Sequence, residues 1–143
     1  MKAIAENRKA RFDYFLLDKF EAGIVLSGGE VKSIRAGNIS LAESFVLIRN
    51  EECFLKNAHI PQYKNDTNKE YDERADRKLL LKKAQIIKLK KHKEQKGHTI
   101  IATKVYLNSR GLIKVEIAAA QGKQNYDKRQ TIKERDIKRQ LND

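Results

Sequence analysis

The chain has 143 residues, 40% of them hydrophobic, which suits one domain around one modest core. Lys and Arg number 31 against 19 Asp and Glu, a formal net charge of +12, and a surplus of that size attracts a polyanion, usually nucleic acid. No apolar run approaches a membrane span, the stretch Met1 to Asn7 lacks the apolar core of a signal peptide, and a lone Cys53 excludes an intrachain disulfide; a cytoplasmic protein with no membrane partner is expected.

Residues 1 to about 11 are polar and basic, with Arg8, Lys9 and Arg11, and read as a loose arm. From Tyr14 to Leu26 aromatic and branched residues predict extended structure, with a bend at Gly23. Ser27-Gly28-Gly29-Glu30 is a capping-box pattern, in which the serine oxygen accepts from the Glu30 N–H and the glutamate reaches back. It predicts a short helix with Val31 and Ile34 inward and Lys32 and Arg35 on another face, stopped at Gly37.

Leu41 to Ile48 and Cys53 to Ile60 read as a hairpin around the polar turn Asn50-Glu51-Glu52, ended by Pro61. Residues 61–77 carry no pattern, and a connection that long is often functional. Lys82 to Gln95 reads as a helix stopped by Gly97, with Leu80, Ala84 and Ile87 on one face and lysines crowding the others. Thr99 to Leu107 and Leu112 to Ala120 form two more strands around Asn108-Ser109-Arg110-Gly111, and alternation turns Lys114 away from the core.

After Gly122 large apolar side chains almost disappear, so the remainder cannot fold alone. Thr131-Ile132-Lys133-Glu134 nevertheless encodes a helix from about Ile132 to Leu141, which predicts a basic tail that becomes helical on binding a partner. The domain division is therefore 1–121 and 122–143. The whole is expected to be mainly β, a small OB-like antiparallel barrel with flanking α-helices.

Catalysis finds little support. His59, His92 and His98 lie at no metal-ligand spacing, Cys53 has no histidine near it in sequence, and no phosphate-cradling loop ends in Lys-Ser/Thr. No cofactor or metal is expected. Gly28-Gly29 opens a helix and can hold a phosphate, but a tight turn explains it better. The lysine-rich helix fits a solvated face and a phosphate-binding face equally. Phe12, Tyr14, Phe15, Phe20 and Tyr126 offer rings for stacking on unpaired bases, although strand aromatics are mostly core and only Tyr126 lies outside any predicted core.

Several strings carry a family likeness. Asn7-Arg8-Lys9-Ala10-Arg11 before Tyr14-Phe15 and Phe20-Glu21-Ala22-Gly23-Ile24-Val25-Leu26 resemble the SmpB domain. So do Gly29-Glu30-Val31-Lys32-Ser33-Ile34-Arg35-Ala36-Gly37, Arg77-Lys78-Leu79-Leu80-Leu81, Tyr126-Asp127-Lys128-Arg129 and Ile132-Lys133-Glu134-Arg135, all in family order.

The resemblance implies an OB-like barrel bound to the tRNA-like end of tmRNA, standing where an anticodon arm would be. The tail would enter the ribosome's decoding site and empty mRNA channel to rescue stalled ribosomes. The protein would catalyse nothing, and would meet elongation factor Tu and alanyl-tRNA synthetase only through tmRNA. Glu21, Leu80 and Lys114 match family positions tied to tmRNA binding, and Gly122 matches the joint to the tail. Arg8, Arg11, Lys32 and Arg35 join that RNA-binding set as basic residues of the matched strings. Tyr126, Asp127, Lys128, Arg129, Lys133 and Arg135 form the decoding-site set. Chemically, Lys114 can meet a phosphate, Glu21 can accept from a base edge or ribose hydroxyl, and Leu80 can pack on a base or ribose, with a core role equally natural for it. The chain departs from the family at Gln121 and Gln124, where lysines are usual, and in the shortness of its tail.

Overall fold

The computed structural model describes residues 2–123. Within them the order is β1 (Lys2–Glu6), α1 (Arg8–Asp13), β2 (Tyr14–Ile24), α2 (Gly28–Arg35), β3 (Phe45–Arg49), β4 (Glu52–Lys56), β5 (Arg77–Leu80), α3 (Lys83–Lys93), β6 (His98–Leu107) and β7 (Ile113–Gly122). The strands make one antiparallel seven-stranded sheet in the order β1-β6-β7-β2-β5-β4-β3. It curls until β3, at one end, packs against β6, near the other.

The N-terminal residues are not the loose arm the composition predicts. β1 pairs with β6, and the Asn7 side chain caps α1 by accepting from the Ala10 N–H at 3.1 Å. Buried Asn7 also donates to the carbonyls of Leu41 and Ala102 at 3.1 and 3.2 Å, tying the arm to two distant segments. Composition could not reveal this, because the partners are remote in sequence. Asn7→Ala should cost about 2 kcal/mol, since it strands buried carbonyls and removes a cap, and urea denaturation would measure it.

The capping box at Ser27 is present in full, with the Glu30 N–H donating to Ser27 Oγ at 3.2 Å and the Ser27 N–H to Glu30 Oε1 at 2.9 Å. Gly37 stops α2 as expected, at φ 88°, with the Gly37 and Asn38 amides bonded to the carbonyls of Ile34 and Ser33 at 2.8 and 2.9 Å. Ile34 is fully buried, while Val31 is half-buried.

The hairpin forms over shorter strands than expected. Asn50 and Glu51 turn it with φ of 51° and 63°, and Asn57, at φ 63°, ends β4. Residues 61–76 hold no helix or strand, yet buried Arg77 pins them, donating to the carbonyls of Ala58 and Glu73 at 2.8 and 3.2 Å. The same guanidinium reaches Glu30 Oε2 at 2.7 Å and the Tyr71 hydroxyl at 3.2 Å, so helix α2, the long connection and β5 share one polar node inside the fold.

Leu80 does not share a helix face with Ala84 and Ile87. It lies in β5, and α3 turns Ile86 and Leu89 toward the core, leaving Ala84 and Ile87 exposed. The bend in β2 falls between Leu16 and Lys19, not at Gly23. This irregularity resets which side its residues face. Tyr14 and Leu16 pack with Ala10 and Ala120 beneath α1, whereas Phe20, Ala22 and Ile24 join the main core with Ile34, Leu55, Leu89, Ile100 and Ile117. A matching shift in β6, between Ala102 and Lys104, puts Ile100, Ala102 and Val105 in that core.

Candidate nucleic-acid interface

Beyond these irregularities, the outer sheet face carries side chains that are far apart in sequence. Across β6, β7 and β2, Lys104 pairs with Glu116 and Glu116 with Glu21. In the next rung Tyr106 pairs with Lys114, Lys114 with Gly23, and Gly23 with Leu80 of β5. Residues two apart on a strand share a face, so Glu21, Lys114 and Leu80 meet there although three separate strands supply them.

Gly23 makes the meeting possible. A Cβ at that position would lie 3.3 Å from Leu80 Cβ and 3.8 Å from Lys114 Nζ, so the missing side chain is the space into which its two neighbours lean. Leu80 is 52% exposed, which removes the core role that its apolar character allowed. It lines an open groove of about 410 Å³ with Val31, Arg35, Leu112 and Lys114. Arg35 donates to the carbonyl of Gly111 at 2.8 Å, which fixes its guanidinium beside the β6–β7 turn.

The charges are unevenly paired. Glu116 faces two lysines, Lys104 at 3.1 Å and Lys19 at 3.6 Å. Glu21 has no cation partner among the described residues; it accepts a hydrogen bond from the Tyr106 hydroxyl. Tyr106 is only 4% exposed, and Lys104 Nζ sits 5.6 Å from its ring centre. Burial, then the bond to Glu21 and the nearby carboxylates, push this hydroxyl well above the usual tyrosine range, so it remains a donor. The sequence reading missed Tyr106, although its alternation with Lys104 along β6 was a signal that it shares their face.

The other expected contacts lie elsewhere. Arg8 and Arg11 are exposed on α1, which leads into β2 at Tyr14, the opposite end of that strand from Gly23. Phe12 on the same helix is 77% exposed, so it lies outside the core that strand aromatics were expected to fill. Gly122 closes β7 opposite Tyr14, at that same end. Lys32 faces the long connection, with Nζ 5.5 Å from the Tyr63 ring centre. Tyr126, Asp127, Lys128, Arg129, Lys133, Arg135 and the expected tail helix lie outside the described residues.

Two weaker candidates lose ground. Asp66 occupies the approach to Gly29, its Oδ2 3.0 Å from where a Cβ would be, which disfavours an anion at that helix end. Burial pushes the Cys53 thiol up, away from the reactive thiolate. Among the described residues no group of three or more His, Cys, Asp and Glu is placed to hold a metal ion, and no helix is long and apolar enough to cross a membrane. Seven lysines lie between Lys82 and Lys96, and among the described residues only Lys90 is ion-paired, with Glu51 at 3.7 Å.

Comparison with known proteins agrees with the strings read from the sequence. Residues 4–143 match the family model described as SmpB protein. The SsrA-binding protein of Thermosipho africanus is 50% identical over 143 residues, covering 100% of this chain and 96% of the relative. That of Shouchella clausii is 49% identical over 140 residues, covering 98% and 89%. A solved structure described as "tmRNA-SmpB: a journey to the center of the bacterial ribosome" superposes with a TM-score of 0.69 at 44% identity, covering 83% of each chain. With half of its residues shared along its whole length, the chain belongs to the SmpB family.

Proposed function

We propose that this protein binds tmRNA through the outer sheet face and acts in trans-translation, the rescue of stalled ribosomes. The observation that supports it best is the convergence of Glu21, Leu80 and Lys114 around Gly23. A phosphate-binding lysine, a hydrogen-bonding carboxylate and an exposed apolar side chain together suit a structured RNA better than a bare polyanion. Arg35 extends the basic rim of the groove, and Lys32 and the α1 residues Arg8 and Arg11 add charge outside it. The curled sheet is read as an OB-like barrel, with residues 1–121 as the RNA-binding domain.

Residues 122–143 are the tail, which departs where β7 ends at Gly122. In this reading it enters the decoding site and mRNA channel, forming a helix there, while the barrel stands in for an anticodon arm. The protein is an RNA-binding partner and not an enzyme, works in the cytoplasm, and meets elongation factor Tu and alanyl-tRNA synthetase only through tmRNA. Sequencing the RNA that copurifies from the protein's own host tests this. One dominant structured RNA is expected; ribosomal RNA alone would point to a general ribosomal protein, and degraded RNA to a nuclease.

Lys114→Ala should weaken binding and reduce the slope of log affinity against log salt by about one unit, the signature of one lost phosphate contact. An unchanged slope removes Lys114 from the phosphate contacts. Glu21→Gln should weaken binding to tmRNA more than to an arbitrary RNA duplex, and equal losses on both would mean that Glu21 reads no structure.

A further inference from the structure

Glu21 raises a physical problem. A carboxylate placed against RNA is repelled by phosphates, so it helps only if its oxygens are held toward a donor group. An exposed glutamate samples many rotamers, and ordering it on binding opposes affinity. Its neighbour Glu116 is held by Lys19 and Lys104, but among the described residues neither lysine reaches Glu21. The hydroxyl of Tyr106 does, from a buried ring that has Lys104 Nζ beside it and Lys114 as its register partner on β7.

We propose that Tyr106 is a positioning residue, which holds one Glu21 oxygen and thereby aims the other at a hydrogen-bond donor of the bound RNA. This rests on reading the sheet face as the tmRNA surface. Tyr106 does not touch the RNA in this scheme. Its ring is covered, and only its hydroxyl communicates with the surface, through Glu21. A lysine in place of Tyr106 would neutralise Glu21, and the uncharged hydroxyl orients the carboxylate without doing so.

Three consequences separate this role from a merely structural one. Tyr106→Phe keeps the ring and loses the single bond, so tmRNA affinity should fall about tenfold, the scale of one hydrogen bond. Its salt slope should stay at the wild-type value, because no phosphate contact is lost. Its effect should also disappear when Glu21 is already absent.

The experiment is a double-mutant cycle on the full chain, with the tRNA-like domain of tmRNA as probe, comparing Glu21→Ala, Tyr106→Phe and the pair. The expected result is a double variant no weaker than Glu21→Ala alone. Additive losses, a reduced salt slope in Tyr106→Phe, or wild-type binding by Tyr106→Phe beside a weakened Glu21→Ala would each overturn the proposal while leaving the surface assignment intact. Wild-type binding by Glu21→Ala would overturn both. A thermal unfolding curve for each variant confirms that the binding loss is not a folding loss.

Discussion

Arg77→Leu should destabilise the fold by about 3–5 kcal/mol, the largest stability loss expected for a single polar side chain here, because it leaves a buried carboxylate without its cation. Arg77 is 3% exposed, and its guanidinium contacts Glu30 Oε2 through both Nε, at 2.8 Å, and Nη2, at 2.7 Å. Its remaining donors serve the carbonyls of Ala58 and Glu73 and the Tyr71 hydroxyl. Glu30 is meanwhile committed to the capping box through its other oxygen. One substitution therefore weakens the start of α2, the long connection and the edge of β5 together. Arg77→Lys should recover only part of the loss, since an ammonium group cannot supply the forked, planar donors. Chemical denaturation would measure both. A loss below about 1 kcal/mol for Arg77→Leu, the range of an exposed pair, would mean that the node is not load-sharing.

That node also explains where the sequence was opaque. The capping box and the Gly37 stop were legible because each is complete within a few residues. The hairpin turn and the alternation in β7 were legible for the same reason, and so was the outward Lys114. β1 was not: Lys2–Glu6 has little apolar pattern, and its pairing with β6 is long-range. β5 is not predicted, because Arg77–Leu80 is short and leads straight into a helical pattern that claims Leu80 for one of its faces. The inward face of α3 differs with it, Ile86 and Leu89 in place of Ala84 and Ile87. Irregularities in β2 and β6 each reset the two-residue period, which no propensity foretells.

The site divides along the same line. Its residues were named from family strings, but their meeting around Gly23 depends on register between strands distant in sequence. Tyr106 was overlooked because an aromatic in a buried strand reads as core. It is buried, yet on the outer face, where its hydroxyl serves Glu21.

A charge-preserving scramble of residues 126–143 should abolish peptide tagging on stalled ribosomes while leaving tmRNA binding largely intact. The family match runs through residue 143, so the tail carries family sequence as well as charge. Its charge is modest, too. Residues 122–143 hold seven Lys and Arg against four Asp and Glu, a net +3 of the chain's +12, and a scramble keeps whatever counterion release those cations supply. Order should matter more. Tyr126 can stack on an exposed base, Lys128 and Arg129 can meet ribosomal phosphates, and Asp127 sits ahead of the Thr131-Ile132-Lys133-Glu134 capping box, where a negative charge favours a helix start. Scrambling keeps every charge and destroys that order. The measurements are tagging of a nascent peptide on ribosomes stalled without a codon, and tmRNA affinity of the same protein. Loss of tagging with retained affinity supports two separable surfaces, one on the sheet and one in the tail. Tagging that persists after the scramble would leave the tail only its charge, and would return the whole of recognition to the barrel.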